Sequence, residues 1–453
     1  MAYSAHPFLR EFFRNLLGTE PESVHELVRA KLAPTLEARP EEYPSNPAIL
    51  DRYETLIEQT QLAGHVQDAF DLYWYGLGSY QHLGKVLGEN ARGLRILERF
   101  IPQDDFSGIE PHLSPRVQAS RVSHLGLFAS NLGDLARARK AFGYCRRLSA
   151  AAFDKKNESI DSWNLAEVEL YAGYLRQSLA HSEDAVSLAT ETGEEIPIKN
   201  SLVYRPTSHF ALGNITAATA DYYSATELEG RPLFSLRGIW EAKCKVLRGD
   251  RSGARSQTQA NRERAVRHKW NATLCGCDTI LAQAFLPDSP ARAGQHLQDA
   301  RAFANRSGDV ELQLGCFYAA CNQHLHLADY PQAIAEAEAG ILLADTCNFG
   351  RYSIDLRLVL AEALLAAGDA RKALQNAREA LDRSEQPDCA YAWGQADGLH
   401  FCGLAHLRLG EHELARQRLT AALELRERLG HGRIAQIADR LLVYVESDEV
   451  HSL

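Results

Sequence analysis

No run of eighteen apolar residues occurs in the 453-residue chain, so the sequence offers no membrane-spanning helix. The first residues, MAYSAHPFLREFFRNLL, carry His, Arg and Glu inside their apolar run, which is not the pattern of a secretory signal. Basic charge is not in excess either. With 49 Lys and Arg against 59 Asp and Glu, the net charge is −10, and a surface built to neutralise nucleic-acid phosphates is not expected. The nine cysteines are scattered singly apart from Cys275 and Cys277. They form no disulfide framework, and one must stay unpaired, which fits a reducing cytoplasm.

Catalytic signatures are also wanting. The stretch GLGSYQHLGKV contains a Gly-Lys pair, but five residues separate Gly78 from Gly84 and Val86 stands where a phosphate-cradling loop needs Ser or Thr. Cys275 and Cys277, with His268 nearby, have no usual zinc spacing and fall where small packing residues belong. His324 and His326 are two apart, so on a helix they point in different directions. Neither a Gly-x-Ser-x-Gly elbow nor a His-Glu-x-x-His motif is present. The expectation is a protein without intrinsic catalysis, cofactor or metal.

What the chain does have is a periodic arrangement of small residues. In LVLAEALLAAGDARKALQNAREAL, Ala361, Gly368, Ala373, Ala377 and Ala380 lie at offsets that let two antiparallel helices approach closely across a Gly-Asp turn. One such hairpin cannot bury its own apolar face, so neighbours are required. The same register returns as Gly126, Gly133, Ala138, Phe142 and Cys145, then as Ala166, Gly173, Ser178, Ser182 and Ala185. It continues through Gly213 and Ala218, Ala242 and Gly249, Ala293 and Leu297, Ala328 and Ala333, and Gly403, Gly410 and Ala415. The turns fall at 133, 173, 213, 249, 288, 328, 368 and 410, a period near 40 residues over eight units.

This pattern resembles the tetratricopeptide repeat, whose usual period is about 34 residues. The extra residues predict longer helices, with roughly 1.5 extra turns per repeat. The resemblance implies an all-α fold, a right-handed α-solenoid of stacked helical hairpins forming a superhelix. Five segments are expected: an N-terminal helical segment (1–47), divergent repeat-like helices (48–102) in which Gly64, Ala69 and Tyr73 keep the register, a Pro- and Gly-containing linker (103–116), eight repeats (117–430), and a capping helix with a polar tail (431–453).

In such arrays the first helix of each unit lines the concave side, where protein segments bind. The register places Trp163, Glu167, Tyr171, Asn200, Tyr204, Asp278, Tyr318, Asn322, Asp355, Glu362, Asp397 and His400 there. Each aromatic among them is equally suited to filling gaps between repeats; as a set they make a mixed polar and aromatic lining suited to recognition.

The segment HPFLREFFRNLL, His6 to Leu17, followed by SVHELVRAKLAPTLEA, resembles the junction between winged helix and repeat array in bacterial signal-transducing NTPases of the STAND type, relatives of the maltose regulator and of NLR immune receptors. That resemblance implies a sensor that binds a protein or peptide trigger and relays it to a covalently attached NTPase. Two alternatives stand beside it: a cytoplasmic scaffold joining two proteins, and a regulatory domain sensing a small molecule in its superhelical channel. Read from the residues alone, His6–Leu17 is an amphipathic N-terminal cap.

Overall fold

The computed structural model describes residues 21–101, 106 and 115–433. The His6–Leu17 segment, most of the expected linker and nearly all of the expected capping helix lie outside the described residues. The chain divides into two units, Met1–Leu113 and Ser114–Leu453.

In the first unit α1 (Pro21–Leu32) is followed by α2 (Pro47–Leu62), which Asn46 caps by accepting the Ala48 N–H at 2.9 Å. Gly64 turns the chain at φ +85° into α3 (Val66–Asp71), and Ala69 and Tyr73 are fully buried. There the hairpin pattern gives way to two π-helical turns, Leu72–Gly76 and Leu83–Leu87, with α4 (Ser79–His82) between them and α5 (Asn90–Glu98) after. Gly84 of the Gly-Lys pair lies under the Tyr80 ring.

Among the described residues the second unit holds eight helical hairpins, and their turns coincide with those read from the sequence. They are α6 (Pro115–Asn131) with α7 (Leu135–Ala151); α8 (Lys155–Ala172) with α9 (Leu175–Thr192); α10 and α11 (Glu195–Ser201, Tyr204–Ala211) with α12 (Ile215–Glu229); and α13 (Ser235–Leu247) with α14 (Arg251–Arg267). After these come α15 (Asn271–Phe285) with α16 (Pro290–Ser307); α17 (Val310–His326) with α18 (Tyr330–Thr346); α19 (Gly350–Ala366) with α20 (Ala370–Glu385); and α21 (Ala392–Arg408) with α22 (His412–Leu429). Most of these helices run 17 or 18 residues, which accounts for the long period. The third hairpin differs in that its first helix breaks at Leu202–Val203. Pro206 lacks the N–H that would bond the Leu202 carbonyl four residues earlier. Among the described residues every regular element is helical, and the fold is an all-α solenoid.

Aspartates start many of these helices. Asp134, Asp154, Asp250, Asp329 and Asp369 each accept the backbone N–H three residues on. The small residues five beyond the turns are fully or almost fully buried, including Ala138, Ala254, Ala333, Ala373 and Ala415. A larger side chain there has no space to enter. Ala373→Phe is therefore expected to cost about 1–3 kcal/mol by overpacking, measured by denaturant unfolding. An unchanged unfolding midpoint would contradict the packing role.

The stack closes on itself. The turn of each early hairpin meets the start of the hairpin five further on. Leu132 and Gly133 face Gly308, Val310 and Cys347; Gly173 packs against the backbone of Gly350 and Arg351; Gly213 faces Ala392. Beyond the last hairpin the same offset brings Gly249 onto Gly432, whose N–H donates to the Leu247 carbonyl at 3.0 Å. Aromatic pairs and hydrogen bonds fasten this seam. Tyr171 stacks on Phe349 with centroids 5.4 Å apart, and Phe210 stacks on Trp393 at 4.4 Å. The Trp393 indole donates to the Phe210 carbonyl at 2.8 Å, and Arg176 donates to the Pro387 carbonyl at 2.7 Å. A Cβ on Gly350 would collide with the Ala172 carbonyl, so glycine is what permits the backbones to touch there.

Because second helices cover one side and the seam covers the other, the first helices are the more buried. The helix α21 buries twelve residues where α22 buries six.

Candidate functional site: a cavity inside the closed array

Closure leaves a cavity of about 80 Å³ between the first helices of the last five hairpins. That is space for roughly five to eight water-sized spheres. Lys243, Val246 and Leu247 of α13 form one wall, with Thr279, Ile280 and Gln283 of α15 next to them. Gly315 and Tyr318 come from α17; Arg351, Tyr352, Asp355, Val359 and Glu362 from α19; Tyr391, Trp393, Asp397 and Phe401 from α21 and its start; Arg433 closes the end.

Three cations and three carboxylates thus face one small space, and two of the cations are already held. Lys243 donates to Glu311 at 2.8 Å and stands 4.2 Å from the centre of the Trp240 ring. The Tyr352 hydroxyl donates to the same Glu311 oxygen at 2.8 Å. Burial alone would push the Glu311 carboxyl up, but Lys243 and the Tyr352 hydroxyl hold it below its ordinary value. At the far end Arg433 donates to Glu362 at 2.9 Å.

Asp397 is satisfied from behind by Arg426 and by His431, whose Nε2 lies 3.2 Å away. Burial would raise this carboxyl too, yet Arg426 and His431 depress it far below the usual carboxylate range. Asp355 has a weaker hold. Its oxygen is 3.7 Å from Arg351 Nη1, longer than a hydrogen bond. Burial pushes it up to about 6, against the opposing pull of Arg351 and a hydrogen bond from Tyr391.

Arg351 is the group with spare capacity. It stacks near the Tyr352 ring at 4.8 Å and the Trp240 ring at 5.3 Å, its side chain is 12% exposed, and its Nε and Nη2 make no hydrogen bond.

No protein-family model and no curated protein matches the chain. Among solved structures it is similar to a STAND protein (Signal Transduction ATPase with Numerous Domains) with a tetratricopeptide repeat sensor from Pyrococcus horikoshii. That match has 14% identity and a TM-score of 0.44, and it covers 95% of this chain and 68% of that one. A Rap protein complexed with competence and sporulation factor matches at 14% identity and TM-score 0.38, over 85% of this chain and 98% of that one. Yeast Tom70 matches at 13% identity and TM-score 0.37, over 98% of this chain and 94% of that one.

Of the twelve residues expected on the concave side, the structure brings Tyr318, Asp355, Glu362 and Asp397 together on the cavity. Asn322 sits one turn beyond Tyr318 and donates to its carbonyl at 2.7 Å. Tyr171 and Tyr204 are not groove residues; they are 7% and 3% exposed and packed in the core, Tyr171 in the seam itself. Glu167 is half-buried and accepts the Tyr171 hydroxyl at 2.9 Å, Trp163 is half-buried against the core, and Asn200 is half-buried on α10. Asp278 turns away from the cavity, held by Arg262 of α14 and His296 of α16 at 2.7 Å each. His400 is 3% exposed with its ring edge against Phe401.

Sequence reasoning missed Lys243, Arg351, Tyr352, Tyr391, Trp393, Phe401 and Arg433. Lys243 had a readable signal, since it precedes its turn glycine Gly249 by six residues, as Glu362 precedes Gly368. The Cys275 thiol donates to the Ala300 carbonyl at 3.2 Å, and His268 stacks on Trp270. Among the described residues no group of three His, Cys, Asp or Glu is placed to hold a metal.

Proposed function

We propose that the chain is a non-enzymatic sensor module that takes a small polar trigger into the cavity inside its repeat array and passes the event to an attached NTPase of the STAND type. The observation that carries this reading is the closed seam together with a cavity whose lining mixes apolar and charged side chains. Five first helices contribute to the cavity, Trp393 of the seam is one of its lining residues, and the seam is built from the turns of the first four hairpins. A ligand that binds better with the seam closed than with it open shifts the balance between the two, and that differential affinity is what switching requires. The small volume favours the metabolite-sensing alternative over a peptide laid along an open groove.

The attachment to an NTPase rests on the His6–Leu17 resemblance. It is tested by the size of the native polypeptide in its host, read by immunoblot and by sequencing the gene upstream of Ala2. A much larger product encoding a phosphate-binding loop and a winged helix is expected. A product of about 50 kDa, the mass of this chain alone, would overturn the attachment.

A further inference from the structure

We propose that the cavity binds a small organic carboxylate, with its apolar body between Val359 and Phe401 and its single negative charge on Arg351. The inference rests on the sensor reading above and names the ligand class for the same site.

Arg351 lines the cavity, and its Nε and Nη2 have no partner. These two donors share one edge of the guanidinium, the edge that pairs with both oxygens of a carboxylate. A buried donor left without an acceptor is costly, so a ligand supplying two acceptors has a ready gain. The charge count limits that ligand to one negative charge. Lys243 is hydrogen-bonded to Glu311 and Arg433 to Glu362, which leaves Arg351 as the cation of the lining without a carboxylate within hydrogen-bond distance. A dianion such as a phosphate monoester would face Asp355, Glu362 and Asp397 with too little positive charge to offset it. The apolar wall of Val359 and Phe401 suits a hydrocarbon or aromatic body.

Asp355 is the internal competitor for Arg351. The groups around it are Lys243 of α13, Tyr318 of α17, Arg351 and Tyr352 of its own helix, Tyr391 and Asp397 of α21 and its start, and Cys389 before that helix. Burial pushes the Tyr318, Tyr352 and Tyr391 hydroxyls up and the Cys389 thiol to about 11, so all four remain protonated near neutrality. Asp397 stays ionised because its carboxyl is depressed, and Arg351 stays charged because burial, which lowers it, is outweighed by Asp355, Tyr352, Tyr391 and Glu311 together. Asp355, pushed up to about 6, is the member that changes state in this range. Once it is protonated it stops competing, so carboxylate binding strengthens as pH falls through about 6.

The test is the ligand-dependent melting shift of the whole chain with millimolar benzoate and with its uncharged isostere benzamide, at pH 7.5 and 5.5, analysed by mass action. Benzoate is expected to raise the melting temperature more than benzamide does, and to bind about tenfold more tightly at the lower pH. Arg351→Gln should abolish the benzoate shift, with circular dichroism checking that it folds. Asp355→Asn should bind benzoate tightly at pH 7.5 and lose the pH dependence, which gives an answer even if the arginine variant fails to fold. Equal shifts from both probes, untouched by either substitution, would overturn the carboxylate while leaving a small-molecule cavity. No shift from either probe would overturn the cavity reading as well.

Discussion

Replacing Trp393 with alanine is expected to lower the stability of the repeat array by about 3–5 kcal/mol, the range for deleting a buried tryptophan. The side chain is 2% exposed, stacks on Phe210, leans on His431 at 5.1 Å and donates its indole N–H to the Phe210 carbonyl. Alanine therefore leaves a void, removes a ring pair and takes one of the two hydrogen bonds of the Phe210 carbonyl, which keeps the Gly213 N–H. Trp393 also joins hairpins whose sequences lie 183 residues apart, so the loss is more than local. Small-angle scattering should report a larger radius of gyration for the variant at temperatures where it is still helical. If the radius is unchanged and the loss is below about 1 kcal/mol, the seam does not hold the array closed.

The second large effect is expected at the end of the array. Arg426 is fully buried and donates to Asp397 and, at 3.2 Å, to the Arg433 carbonyl. Arg426→Ala leaves the Asp397 carboxylate in a low-dielectric site with His431 and the more distant Arg433 as its remaining positive partners, and removing one partner of a buried pair costs about 3–5 kcal/mol. The sign of the pH dependence distinguishes this from simple cavity formation. In the native protein Asp397 titrates below its unfolded value, so its contribution is present above about pH 4 and is lost only as pH falls through the depressed folded value. Without Arg426 the folded value moves up, since burial is then opposed by His431 and Arg433 alone, and the penalty should shrink as the solution is acidified. A deficit that is constant between pH 8 and pH 5 would assign the loss to packing. The double replacement Arg426→Met with Asp397→Leu should recover much of the stability, since apolar residues of similar volume substitute well for buried pairs.

The repeat architecture was legible because it is local. A glycine at the turn, an aspartate cap and a small residue five positions on are set by steric rules within one hairpin, and Gly368, Asp369 and Ala373 show all three. Tyr318, Asp355, Glu362 and Asp397 could be placed on the inner face by the same register. The seam was not legible, since it depends on small rotations between hairpins accumulated over five units. That is why Arg351 at the start of α19 and Trp393 at the start of α21 gave no signal, and why Tyr171 and Tyr204 looked like groove residues. Asp278 was misplaced for a different reason: its direction is chosen by Arg262 and His296, which flank it from the two neighbouring second helices.

The five-hairpin offset of the seam also bears on how such a chain can change over evolutionary time. Repeat arrays ordinarily tolerate gain or loss of a unit, because each unit touches only its neighbours. Here the Gly133, Gly173, Gly213 and Gly249 turns must each find a specific residue far along the chain, and inserting or deleting one hairpin between them would set every turn opposite the wrong helix. The number of units is thereby fixed as firmly as the blade number of a closed ring, and lineages of this array should vary in side chains and loops while keeping the hairpin count.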